Sequence, residues 1–247
     1  MKISPVGPVA RTGLLLACGV IGPLLFISAF LLEGATRPGY SAWRHVVSAL
    51  SLGALGWMQI LNFLVCGLLL LGFAVGLRHA LRSGQGSIWG PLLFVLFGLG
   101  LIGAGLFAAD PDLGYPPGAP SNGQAPPTLH GTLHTIATLV TFSSLVAASI
   151  VLARRFARDP GWKGWTFYSL ATGLLVVVFL LASAVTADLD DQGLLQGAPV
   201  GLLQRLAIMS GWSWIALLAF RLLKKRKLPL GSGDPGISGV EQEPVSR

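Results

Sequence analysis

Apolar residues fill six long stretches of this chain, and polar residues collect in the short segments between them. The stretches cover 13–32, 55–77, 88–108, 130–153, 165–187 and 200–223. At about 1.5 Å per helical residue, each is long enough to cross about 30 Å of hydrocarbon. A lone strand in lipid would leave its backbone groups unpaired, so helices are expected. The pattern predicts an all-α, polytopic membrane protein: a six-transmembrane-helix bundle in residues 1–227. Residues 228–247 are rich in Gly, Ser, Pro and acid and are expected to form a disordered cytoplasmic tail. Gly98, Gly100, Gly103 and Gly105 in the third stretch are spaced to let helices approach closely.

Composition agrees. The chain is 53% hydrophobic and 11% charged, where a soluble domain is about 25% charged. Its 17 Lys and Arg outnumber 10 Asp and Glu. That excess could suit nucleic acid, but the basic residues flank apolar stretches, the pattern that orients membrane helices. One side collects Lys2, Arg11, Arg78, Arg82, Arg154, Arg155, Arg158 and Lys163, then Arg221 and the run Lys224 to Lys227. The other side has only Arg37, Arg44 and Arg205, and carries Glu33, Asp110, Asp112, Asp188, Asp190 and Asp191. Both termini are therefore predicted cytoplasmic, in an inner (plasma) membrane, with the acidic segments outward. The first stretch exceeds the 7–15 residues of a signal-peptide core and is expected to be a retained helix. Cys18 and Cys66 lie inside apolar stretches and read as packing residues.

The outward segments hold the candidate chemistry. In 33–54, Trp43, Val46, Val47 and Leu50 recur at helical spacing, which predicts a short helix lying in the membrane interface. On such a helix Arg44, His45 and Ser48 would share one face. Trp43, Trp57, Tyr40 and Tyr115 are expected at the outer aromatic belt, and Trp89, Trp162 and Trp165 at the inner one. The second outward segment contains Pro111, Pro116, Pro117, Pro120, Pro126 and Pro127, which predicts an extended, stiff cover.

His130 and His134 are four apart and would project from one helix face. That spacing suits a divalent metal such as zinc, with Asp110 or Asp112 as a carboxylate ligand and His45 as a third imidazole. Hydrogen bonding to loop backbone, proton transfer and substrate contact are the alternatives. Arg205 sits about one turn inside the sixth stretch, where a charge needs a partner. Asp188 and Asp110 are the expected partners; the functional alternative is a clamp for phosphate or carboxylate. A nucleophilic Ser48 would need His45 within hydrogen-bond reach and a third group to orient it; contact with a headgroup is the other reading. The candidate ligand-binding set is Arg44, His45, Ser48, Asp110, His130, His134, Asp188 and Arg205.

Three segments carry a family resemblance: R-P-G-Y-S-A-W-R-H-V-V-S-A-L-S before the second stretch, F-A-A-D-P-D-L-G-Y-P-P-G-A-P after the third, and H-G-T-L-H opening the fourth. With G-L-L-Q-R in the sixth, they resemble the DUF998 family of bacterial six-helix membrane proteins. Function in that family is unknown, so the resemblance implies an architecture and no activity. The expected function is recognition of a lipid headgroup or small polar ligand at the outer leaflet, with the bilayer as partner and no nucleic acid. A metal-dependent membrane hydrolase acting on lipid-like substrates is the alternative, and a small transporter the third reading.

Overall fold

The structure, a computed structural model, describes residues 8–119 and 126–227. The tail 228–247, Lys2 and Pro120 lie outside the described residues. Six α-helices follow one another: α1 Pro8–Thr36, α2 Gly56–Ala80, α3 Trp89–Leu106, α4 Leu129–Phe156, α5 Trp165–Asp191 and α6 Val200–Lys227. Short 3₁₀ helices occupy Val47–Ser51 and Pro160–Trp162. Among the described residues there is no strand, only an isolated bridge between Asp112 and Tyr115. All six helices are long and apolar enough to cross a membrane.

Each helix packs on its sequence neighbours, and α6 packs back on α1, so the six close into a ring. Lipid is as apolar as the side chains, so such a ring is held by fit rather than by expulsion of water. Large aromatic side chains fill the centre. Phe26 of α1 stacks on Trp212 of α6 at 4.2 Å, and Phe97 of α3 meets the same indole edge-on at 5.5 Å. Glycines bring neighbouring backbones together. A Cβ on Gly67 would lie 2.8 Å from the Gly98 carbonyl, and one on Gly98 would lie 2.9 Å from the Gly67 carbonyl. The helix α2–α3 crossing therefore admits no side chain at either position. Leu14, Leu24, Leu68, Leu174 and Leu181 point outward and are exposed; in a bilayer this surface faces acyl chains.

The ends of the ring differ in charge. At the end that holds the first residues of α1 and the last of α6, the guanidinium of Arg221 lies 4.7 Å from the Trp162 ring centroid. Lys225 Nζ lies 4.6 Å from the same ring. Trp162 stacks on Phe156 at 4.4 Å and is only 6% exposed. It is packed beneath cations rather than displayed in a belt as expected; Trp89 is displayed. The opposite, acidic end carries the Val47–Ser51 helix and the α3–α4 connection.

Three expectations change at the acidic end. Val47–Ser51 is buried rather than lying in the interface: Val47, Ala49 and Leu50 face the core. Residues 112–115 are not an extended cover but a tight turn. Leu113 (φ 52°) and Tyr115 are pressed into the bundle, Leu113 against Ala198 and Val200. Helix α5 runs four residues past the predicted end, to Asp191, because no helix-breaking residue occurs before Gly193.

Candidate ligand-binding site

The α3–α4 hairpin is clasped from both sides. Helix α3 ends at Leu106 and leaves terminal carbonyls without helical partners. His134, one turn into α4, places Nδ1 3.1 Å from the Ala104 carbonyl and 2.8 Å from that of Phe107. Two acceptors at one ring nitrogen require a proton there, so Nδ1–H donates. Asp110 does the reciprocal work. Its Oδ2 accepts the Thr128 N–H at 2.9 Å and its Oδ1 the Thr128 hydroxyl at 2.6 Å. Thr128 is the N-cap of α4 and accepts the Gly131 N–H at 3.0 Å. The carboxylate thus lies at the positive end of the α4 dipole. Any side chain on Gly131 would overlap that carboxylate, which explains the glycine of H-G-T-L-H.

Two buried arginines fix the segment between α1 and α2. Arg37 pairs with Glu33 at 2.9 Å and donates to the carbonyls of Leu50 (3.1 Å), Leu52 (3.3 Å) and Leu55 (3.0 Å). Arg205 donates through one nitrogen to the carbonyls of Ala42 (2.8 Å), His45 (2.9 Å) and Gly201 (2.9 Å). Its other terminal nitrogen donates to the Tyr40 hydroxyl. Tyr40 in turn donates to the carbonyls of His45 and Val46 at 3.1 and 3.0 Å. Burial pushes the Tyr40 phenol above its ordinary value of 10.0 despite the Arg205 charge, so it keeps its proton.

Arg44 and His45 are also engaged. Arg44 makes a two-pronged contact with Asp190, Nε to Oδ2 at 3.1 Å and a terminal nitrogen to Oδ1 at 3.0 Å. Asp190 also accepts the Ala198 N–H at 3.2 Å. His45 Nδ1 accepts the Ser41 N–H at 2.9 Å, which leaves Nε2–H to donate to the Leu113 carbonyl at 3.2 Å. Both ring nitrogens are used, and only the neutral ring fits. Burial pushes the His45 pKa below its ordinary 6.5, and the Arg44 and Arg205 charges add to the shift; the Leu113 carbonyl opposes it. Tyr115 and Tyr40 pack around the ring at 5.2 and 5.4 Å.

Between these fixed parts is a cleft of about 650 Å³. Asp110, Asp112 and Asp191 line it, with Ser48 on one wall and His134, Thr135 and Thr138 on the other. Ile136 and Leu139, which are 52% and 61% exposed on the outside of α4, form its lip. The cleft therefore opens sideways as well as endwise. Beneath it, in the centre of the ring, is an apolar space of about 40 Å³, lined chiefly by Phe26, Phe63, Leu101, Phe142, Ile208 and Trp212. Ser48 and Thr138 line both spaces. Gln204, on the inner space, accepts the Val47 N–H at 2.7 Å and anchors the short helix above.

A family model for a protein of unknown function, DUF998, matches residues 20–221, well over half of the chain. The chain belongs to the DUF998 family. The match takes in every candidate residue from Arg44 to Arg205. Neither the curated proteins nor the solved structures compared with it give a match.

In this DUF998 chain the candidate residues do not form one pocket. Ser48, Asp110 and His134 line the cleft. Arg44, His45 and Ser48 do not share a helical face, because the helix begins at Val47 and the first two precede it. Arg205 is held by carbonyls and Tyr40, not by Asp188 or Asp110, and its hydrogen bonds are spent within the protein. Asp188 is exposed and accepts from Gln192 Nε2 at 2.7 Å. His130 is exposed, its ring edge-on to Phe107 at 5.8 Å, whereas His134 is buried. Among the described residues no group of three or more His, Cys, Asp or Glu is placed to hold a metal ion. Both Asp110 oxygens are engaged by Thr128, and His134 Nδ1 is engaged by the Ala104 and Phe107 carbonyls.

Asp190, Asp191, Tyr40 and Thr138 were not among the expected site residues. Asp190 was legible through helix phase: it continues the face of Ser183 and Ala187 at steps of three and four residues, and Ser183 and Asp190 are both buried. Thr138 follows His134 by one turn on the same face. Tyr40 carries no such signal, because its charged partner, Arg205, is far away in sequence.

Proposed function

We propose that this DUF998 protein binds a single membrane amphiphile, headgroup in the acidic-end cleft and chain toward the apolar space beneath. The observation that carries this reading is the junction at Ser48 and Thr138, where a polar-lined cleft meets an aromatic-lined interior. The sideways opening past Ile136 and Leu139 supports entry from the bilayer. The Lys and Arg distribution supports a cleft at the outer leaflet of the plasma membrane, with both termini cytoplasmic.

Filling the junction tests the reading. Thr138→Trp would occupy the passage while leaving the clasp of Asp110, Thr128 and His134 in place. Protein purified in mild detergent should retain lipid by native mass spectrometry, and the variant should lose it with an unchanged helical spectrum. Equal retention in the two proteins would refute the site.

A further inference from the structure

We infer that the headgroup taken by this cleft carries a protonated primary amine; this rests on the amphiphile reading above. The cleft is a collection of acceptors. Asp110, Asp112 and Asp191 line it, and among the described residues no Lys or Arg does. The two arginines expected there are spent elsewhere, Arg44 on Asp190 and Arg205 on backbone carbonyls. An anion would therefore enter a negative site without a cation to receive it.

The carboxylates are not the only feature pointing to a ligand. His134 is 5% exposed and lines the cleft. Its Nδ1–H is committed to Ala104 and Phe107. Asp191 Oδ1 is a buried oxygen without a hydrogen-bond partner. A buried acceptor left unpaired is costly, and a donor-rich ligand removes that cost at this atom. A primary ammonium offers three N–H donors and no acceptor.

The same lining discriminates among cations. A quaternary ammonium is recognised by aromatic faces, and among the described residues the cleft lining contains no Phe, Tyr or Trp. Its walls instead present carboxylate, imidazole and hydroxyl oxygen or nitrogen, which reward N–H donors and gain nothing from methyl groups. Ethanolamine-type lipids fit this chemistry and choline-type lipids do not.

The test is competitive lipid retention. Detergent-purified full-length protein is incubated with equimolar phosphatidylethanolamine, phosphatidylcholine and phosphatidylglycerol, matched in acyl chains, and bound lipid is read by native mass spectrometry. Wild type should prefer the ethanolamine lipid about tenfold, the size of one charge-assisted hydrogen bond. Asp191→Asn should lose that preference while still retaining lipid, with an unchanged melting temperature as the check on folding. Free ethanolamine at millimolar concentration should compete poorly; full displacement by it at equal concentration to the lipid would make the ligand a soluble amine and overturn the lipid assignment. Equal retention of all three lipids, lost in Thr138→Trp, would overturn the amine and leave the amphiphile reading standing. Absence of retained lipid in wild type would remove both.

Discussion

Asp110 and His134 cap each other's helices: the carboxylate that follows α3 holds the N-terminus of α4, and the imidazole from α4 holds the C-terminal carbonyls of α3. The motif residues that suggested a metal site are thus tied to backbone ends. Helix ends near lipid cannot leave their orphan groups to water, so a pair of side chains supplies the missing partners.

The clasp predicts a coupling. Gly131→Ala pushes a methyl group into the Asp110 carboxylate and should destabilise the protein by about 2 kcal/mol. Asp110→Ala removes the cap and should cost about 1 kcal/mol. The double variant should be less damaged than the sum by about 1 kcal/mol, because the second change removes the group the first one strikes. Denaturation of the four proteins in one detergent measures the cycle; strict additivity would contradict the contact.

Arg205 should not tolerate Lys. One guanidinium serves three carbonyls and a phenol, and an ammonium on a flexible stem cannot span them. Arg205→Lys is expected to lose about 2–3 kcal/mol, read as a lower melting temperature. An unchanged melting temperature would show that the carbonyl cradle is not needed.

His45 makes stability depend on pH. Its folded-state pKa lies below the unfolded value near 6.5, so between the two the unfolded chain binds the extra proton. The contribution is complete above about 6.5 and is lost as pH falls from there through the folded pKa. Charging the ring would also turn Nδ1 into a donor facing the Ser41 N–H. The melting temperature should fall as pH drops below about 6.5, and His45→Gln should flatten that slope. A wild-type slope that survives in His45→Gln would assign the pH dependence to another group.

Elemental analysis addresses the metal alternative directly. Since both Asp110 oxygens and His134 Nδ1 are engaged within the protein, protein purified without chelators is expected to hold far less than one zinc or other divalent ion per chain. A stoichiometric ion that disappears in a His130→Ala/His134→Ala double variant would restore the hydrolase reading.

Six helices were legible in the sequence because each must satisfy its own backbone and each needs a long apolar run to do so in lipid. Those requirements are local, and so are visible in consecutive residues. Gly98 of the α2–α3 crossing and the basic and acidic segments were legible for the same reason. The site was only partly so. Of the expected residues, Ser48, Asp110 and His134 line the cleft; polar residues at the ends of apolar helices stand out in sequence. Their arrangement was not, because it depends on which distant backbone carbonyl or carboxylate lies within 3 Å of each. Arg205 could have met Asp188; it met Ala42, His45 and Gly201 instead, since the first inter-helix segment folds into the ring and brings its carbonyls there. That burial also took Tyr40, Leu113 and Tyr115 inward and left the acidic cleft beside them. Chain chemistry determined the spans and the inventory of polar groups. Packing around the ring decided which of those groups are consumed by the fold and which remain free to meet a ligand.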